Sequence, residues 1–265
     1  MLSTTWIETE AADIQIVDPT LFELKQEKKA PSFSLIIPVY NEADIIVEKL
    51  NVLSRYLERE SCELIVFDDC SKDKTYSRLK EVLVTNPNML LMHSTSRLGK
   101  GGTIKNAVRK ASAGTVIIMD VDLSADLGSI PELMREANES GGIVVAERST
   151  SDRYSQGFLR VMLSLAYNTL VRLLFRTGVR DHQCGFKAMR TDVARRLTAT
   201  IRNNEFVFDT ELIVLARKLG IPIKRIPVKW RDDRPKKSNL KWIRNGVTMM
   251  KDLIMIKISD RTKVY

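Results

Sequence analysis

Asp120-Val121-Asp122 closes the apolar run Thr115–Met119, and two carboxylates so close together repel unless water or a cation lies between them. Oxygen ligands of this kind suit Mg²⁺ or Mn²⁺, which take few protein carboxylates and complete their shells with water and phosphate oxygens. The chemistry they support is the handling of a metal-held diphosphate. The same string also reads as an N-cap cluster for a helix starting near Pro131. A second pair, Asp68-Asp69, follows another apolar run, Glu63–Phe67. It either caps a helix starting near Lys74 or accepts ring N–H protons from a nucleobase. Two such pairs at the ends of two strands favour ligand binding over capping.

Gly99-Lys100-Gly101-Gly102 precedes a helix expected over 102–113, so its backbone N–H groups could face a phosphate. The alternative is a flexible helix start with a solvated Lys100. Its spacing matches neither a Walker loop nor GxGxxG, and Val39–Glu42, after the first strand, holds no glycine, which removes P-loop and dinucleotide readings. Arg148, Arg180, Arg231 and Lys237 fall in loops or at strand ends, where arginine's fork suits phosphate. His182 lies beside Asp181, in what reads as a solvent-exposed loop. The cysteines, Cys62, Cys70 and Cys184, are too few for a disulfide framework and read as structural; with only two histidines, any metal should be held by oxygen.

These residues need a scaffold that gathers them. Short apolar strands (34–37, 63–67, 89–92, 115–119, 143–146) alternate with helical stretches (43–60, 74–84, 102–113, 131–140), the pattern of an α/β fold with a parallel sheet. Such sheets bind ligands beyond the carboxyl ends of their strands, where this chain puts Pro38 to Glu42, Asp68-Asp69, Asp120 to Ser124 and Glu147-Arg148. Residues 1–31 read as an extension before the fold, 32–239 as the catalytic domain and 240–265 as an amphipathic helix and tail. Within the domain, residues 157–176 form a helix with a polar stripe at Arg160, Ser164, Asn168, Arg172 and Arg176. A second amphipathic segment, 240–258, sets Ile243, Val247, Met250, Ile254 and Ile258 on one side. Both suit a membrane interface.

The chain carries 42 Lys and Arg against 33 Asp and Glu, a net charge of +9 that favours polyanionic partners. Nucleic acid is disfavoured, because aromatics make up only 6% and no DNA- or RNA-binding motif is present. The first basic residue is Lys25, and no apolar run reaches the roughly 18 residues of a spanning helix. The expectation is an unsecreted protein on the cytoplasmic face of a membrane, bound peripherally and without a transmembrane helix.

Ile36-Ile37-Pro38-Val39-Tyr40-Asn41-Glu42, Asp68-Asp69-Cys70-Ser71 and Asp120-Val121-Asp122-Leu123-Ser124, in this order, resemble family 2 glycosyltransferases, and within them the dolichyl-phosphate glucose and mannose synthases. Glu147-Arg148, Val179 to Lys187, Phe208-Asp209-Thr210-Glu211 and Ile226-Pro227-Val228 extend the likeness, which spans roughly residues 34–258. The resemblance implies a GT-A (Rossmann-like), mostly parallel sheet flanked by helices, with amphipathic membrane-surface helices. It implies inverting transfer of a hexose from a nucleotide-sugar to dolichyl or polyprenyl phosphate, with Mg²⁺ or Mn²⁺. A different membrane or soluble acceptor is the alternative.

Carried onto this sequence, the resemblance sets Pro38, Tyr40, Glu42, Phe67 and Asp69 around the nucleoside, with Lys100, Asp120 and Val121 also on the donor. Asp122 holds the metal, with Asp120 and Ser124 as further ligands. Arg148, Arg231 and Lys237 meet donor or acceptor phosphates, and Arg180 the lipid phosphate. Lys236-Lys237-Ser238-Asn239 departs from the family's Gly-x-Ser-Lys string, and Ser124 stands where mannose synthases often carry Gln. Gln183-Cys184-Gly185-Phe186-Lys187 resembles the glucose synthases, which favours UDP-glucose over GDP-mannose. A phosphate acceptor, with a second pKa of about 6, needs little help from a base; a hydroxyl acceptor would need one, and Asp181 is the candidate.

Overall fold

The computed structural model describes residues 3–8, 13–18, 30–86, 89–148, 158–231 and 248–258. Its strands are β1 Ser3–Glu8, β2 Asp13–Asp18, β3 Phe33–Val39, β4 Cys62–Asp68, β5 Met89–Ser94, β6 Thr115–Ile118, β7 Ile143–Arg148, β8 Lys187–Arg190 and β9 Ile223–Val228. Its helices are α1 Ile46–Leu57, α2 Thr75–Thr85, α3 Gly99–Lys110, α4 Ile130–Ser140, α5 Phe158–Phe175, α6 Thr191–Thr200, α7 Phe208–Lys218 and α8 over 248–258. The strands form one nine-stranded sheet in the order β1-β2-β5-β4-β3-β6-β8-β7-β9.

Residues of β3 and β4 are apolar on both faces because helices cover both. Leu35, Ile37, Leu64 and Val66 join a core with Leu50 of α1, Leu79 of α2 and Leu133 of α4. Their neighbours Ile36, Ile65 and Phe67 point the other way, into a core with Ile104 of α3, Leu197 of α6 and Leu212 of α7. The period of two along each strand thus divides one run of residues between two layers, as a doubly covered parallel sheet requires. This is the α/β architecture, a sheet with helices on both faces, that the pattern of strands and helices predicts.

The strands β3, β4, β5 and β6 are parallel neighbours, as expected. Two features differ from the sequence reading. β8 runs antiparallel between β6 and β7, so β7 is separated from β6 by a reversed strand. Residues 1–31 do not simply precede the fold: β1 and β2 pair antiparallel, and β2 adds antiparallel to the edge strand β5. Every strand except β2 and β8 still points the same way, so the carboxyl ends of β3, β4, β6 and β7 lie along one rim. Among the described residues no helix is long and apolar enough to cross a membrane.

Candidate active site at the carboxyl rim

The turn after β6 is held by backbone pairing. Asp122 is buried, and its Oδ1 accepts the Ser124 N–H at 3.1 Å. The Ser124 carbonyl in turn accepts the Arg231 N–H at 2.7 Å, Ala125 bridges Trp230, and Asp126 N–H donates to Lys229 O at 3.1 Å. The chain beyond β9 is therefore stitched onto the Asp120–Ser124 turn, which sets the exposed Arg231 beside it. Val121 is a core side chain, so only its backbone reaches the rim. The capping role falls to Asp126, whose Oδ1 accepts the Gly128 N–H at 3.1 Å ahead of α4. Asp120 and Asp122 are thus spared that task.

Asp120 heads a line of alternating charges. Its Oδ1 lies 2.8 Å from Lys100 Nζ, which lies 3.0 Å from Asp209 Oδ2; Asp209 Oδ1 lies 2.6 Å from Lys187 Nζ. Side-chain exposure falls along the line, from 33% at Asp120 to 14%, 3% and 0%. Burial alone would lower the Lys100 ammonium's pKa, but Asp120 and Asp209 outweigh it and hold the pKa above the ordinary value. Lys100 is neither solvated nor in a loop, contrary to both sequence readings. The string Gln183 to Lys187 also acquires a reason: a Cβ on Gly185 would stand 2.3 Å from Asp120 Oδ2, so glycine is what lets Asp120 keep this position.

The Gly99–Gly102 segment is the first turn of α3, and the N–H groups of its three glycines have protein partners. Asp69 accepts from Leu98 N at 2.7 Å and Gly99 N at 2.9 Å, while Asn204 O accepts from Gly101 N at 2.7 Å and Gly102 N at 3.2 Å. The phosphate-cradle reading is therefore corrected: these glycines admit the 203–208 segment, and a Cβ on Gly101 would lie 2.7 Å from Phe208 Cβ. Helix α2 is capped by neither Asp68 nor Asp69 but by Asp73, whose Oδ1 accepts the Thr75 N–H at 2.9 Å. Burial raises the Asp69 pKa, against the opposing pull of its N–H donors and Arg97.

Arg97 is a rim residue the sequence reading missed. Its Nη1 lies 2.5 Å from Asp69 Oδ2 and its guanidinium stacks 3.4 Å over the Tyr40 ring. Tyr40 and Asp69 are thereby brought together. Glu42 is held near them by its N–H bond to Thr75 Oγ1 at 2.9 Å, and Pro38 pairs across the sheet with Phe67. Phe67 itself is fully buried in the core, so its side chain does not line the rim.

At the end of β7, Arg148 grips the fully buried Asp181, Nε to Oδ2 at 2.5 Å and Nη2 to Oδ1 at 3.1 Å. Burial opposes the Arg148 charge, yet Asp181 raises its pKa. This burial and bidentate pairing favour an ion-pair role for Asp181 over that of a general base. His182 is buried too, not exposed. Asn168 Oδ1 accepts its backbone N–H and lies 2.8 Å from its Nδ1, while Thr177 Oγ1 lies 2.6 Å from Nε2. This arrangement assigns the proton to Nδ1, and burial lowers the pKa from 6.5 to about 4. Arg180, between them and solvent, is exposed, its N–H tied to Glu147 Oε1 at 2.8 Å. Lys237 lies outside the described residues.

Helices α5 and α8 pack together on α7 through Tyr167, Val171, Val214, Leu253 and Ile256. The polar stripe of α5 turns inward at Asn168 and outward at Arg172, while several of its apolar residues also face outward: Met162, Leu163, Leu165 and Leu173 are exposed, as are Met250, Ile254, Met255 and Ile258 of α8. Ile243 and Val247, expected on the same side, lie outside the described residues.

The open sheet with acidic turns along its carboxyl rim is the arrangement that the resemblance to GT-A glycosyltransferases implies. A model of the family described as Glycosyl transferase family 2 matches residues 34–198, more than half of the 265, and the chain belongs to that family. It is 30% identical over 278 residues to a dolichyl-phosphate beta-glucosyltransferase of Dictyostelium discoideum, covering 96% of this chain and 84% of the relative. It is 34% identical over 204 residues to the glycosyltransferase AglD of Haloferax volcanii; that match takes in 74% of this chain but 32% of AglD, so the chain spans about a third of that protein. In fold it is similar to glucosyl-3-phosphoglycerate synthase of Mycobacterium tuberculosis, solved with Mn²⁺, UDP-glucose and phosphoglyceric acid, at a TM-score of 0.67 and 19% identity over 86% of this chain and 80% of that one.

Proposed function

We propose that this chain transfers glucose from UDP-glucose to dolichyl or polyprenyl phosphate, with inversion, at the cytoplasmic face of a membrane to which it binds peripherally. The dolichyl-phosphate beta-glucosyltransferase aligned along nearly the whole chain supports the sugar and the acceptor class. The observation that carries the lipid acceptor is the orientation of α5. Its outward face is apolar, and its inward Asn168 bonds His182, next in sequence to the Asp181 that grips Arg148. The apolar surface of α5 and the Arg148–Asp181 pair are thus linked through Asn168 and His182, an arrangement that suits an acceptor with a lipid tail and a phosphate head.

Asp122 and Asp120 would hold Mg²⁺ or Mn²⁺. Among the described residues no group of three His, Cys, Asp or Glu side chains converges; Asp122, buried in the turn after β6, and Asp120, one third exposed at the rim, would be the protein's share of the shell. That fits a hard cation that draws most of its shell from diphosphate and water. When bound, the cation neutralises charge on the departing nucleoside diphosphate. Ser124 contributes through its backbone, shaping the turn. Tyr40 and Asp69 face the base, and Arg231 pairs with donor phosphate.

On the acceptor side, Arg180 and Arg148 orient the phosphate so that one oxygen lies in line with the anomeric carbon. The acceptor dianion supplies its own electron pair, so no base is assigned, in keeping with the burial of Asp181. A single displacement from UDP-α-glucose gives a β-linked product. Nuclear magnetic resonance of the lipid product tests this: a β linkage is expected, and an α linkage would exclude single displacement.

A further inference from the structure

We propose that Asp209 is a positioning residue for donor binding, acting through Lys100 on Asp120; the inference rests on reading the rim as the donor site. Asp209 sits in the first turn of α7, on the far side of Lys100 from the rim, and its two oxygens serve two different ammonium groups, Lys100 at 3.0 Å and Lys187 at 2.6 Å. Lys187 is held in its turn by the Cys184 carbonyl, and it is fully buried. Lys100 therefore cannot follow a rotation of Asp120 toward solvent without leaving its bond to Asp209.

The other oxygen of Asp120 is constrained as well. It abuts Gly185, which precedes Lys187 by two residues on the same segment. One carboxylate oxygen is paired with Lys100 and the other lies beside Gly185, which limits the side chain's rotation while a third of it stays exposed at the rim; Asp209 is the common anchor behind both, through Lys100 directly and through Lys187 for the segment carrying Gly185. The line of charges is balanced, two carboxylates against two ammonium groups, so Asp120 meets an incoming cation and diphosphate from a fixed place beside a fixed positive charge. Preorganisation of this kind lowers the ordering cost of binding. Buried ion pairs are weak sources of stability but strong sources of geometry, which is the role assigned here.

Asp209→Asn alone leaves Lys187 buried without its counter-charge, so the informative variant is Asp209→Asn with Lys187→Met, which removes the inner pair together. Binding of UDP with MnCl₂ is measured by calorimetry, and thermal unfolding in parallel, for the full chain. The double variant is expected to unfold near the wild-type midpoint yet bind UDP roughly tenfold more weakly, and to cost nothing further in a Lys100→Met background, since coupled residues fail to add. Wild-type affinity in the double variant, or losses that multiply with Lys100→Met, would overturn the inference. Failure of the wild type itself to bind UDP or GDP would overturn the donor-site reading and this inference with it. A double variant that no longer folds would also overturn it, by showing Asp209 to be structural.

Discussion

Arg148 and Asp181 meet through two parallel hydrogen bonds at the end of β7, with the carboxylate fully enclosed and the guanidinium almost so. Charge and fork geometry are both used, which a lysine cannot reproduce. Asp181→Asn is expected to lower stability by about 3–5 kcal/mol, the usual result of stranding one member of a buried pair. Arg148→Lys should retain the charge but lose most transfer activity. Urea denaturation and initial rates check the two outcomes.

His182 ties stability to pH. Its folded pKa, lowered to about 4, lies below the ordinary 6.5, so the unfolded chain binds the extra proton between those values. Its stabilising contribution is complete above about 6.5 and is lost as the pH falls towards 4, a difference on the order of 3 kcal/mol. The unfolding midpoint in urea, followed from pH 7 to 4, should decline more steeply in the wild type than in His182→Gln. Equal slopes would mean that His182 is not buried neutral.

Gly185→Ala tests the packing against Asp120. The new Cβ meets Asp120 Oδ2, the far end of a side chain that can rotate away, so the fold should survive while Asp120 leaves Lys100. Transfer is expected to drop at least roughly tenfold with a smaller change in unfolding midpoint, since one misplaced group in a binding site costs more in rate than in stability.

Much of this was legible before the structure. The five runs that became β3 to β7 are continuous in Val, Ile, Leu and Met because both faces are covered, and the polar residues after them stood out against that background. Asp68-Asp69 and Asp120-Val121-Asp122 were located for that reason. Other features carried weak signals. β2 is a short strand in which Ile14 and Val17 are buried while Gln15 and Ile16 are only partly so, and its pairing with β1 and β5 decides its structure. β8 has four residues and opens with a lysine, which reads as exposed until Asp209, distant in sequence, neutralises it. Asp181 and His182 read as a solvated loop because nothing local reveals that Arg148 and Asn168 enclose them. The glycines of α3 suggest a phosphate loop, whereas Gly99 and Gly101 make room for the carbonyls of Asn204 and Asn203 and for the side chains of Glu205 and Phe208.

The outward faces of α5 and α8 predict membrane binding. Leu173 and Met255 are 74% and 62% exposed, so Leu173→Glu with Met255→Glu should leave folding intact. Each apolar side chain buried in lipid contributes about 1.5–3 kcal/mol. Flotation with anionic liposomes should therefore fall by roughly tenfold or more. Unchanged flotation would assign these faces to another partner.

The most direct test of the central claim is transfer of labelled glucose from UDP-glucose into an organic-extractable product. It is run with polyprenyl phosphate or unphosphorylated polyprenol, with Mg²⁺ or Mn²⁺ and with a chelator, and with GDP-mannose in parallel. Label is expected in the organic phase only from UDP-glucose and only with the phosphorylated lipid, and chelation or Asp122→Asn should abolish it. Transfer from GDP-mannose alone, or label appearing only on a water-soluble acceptor, would contradict the proposed function.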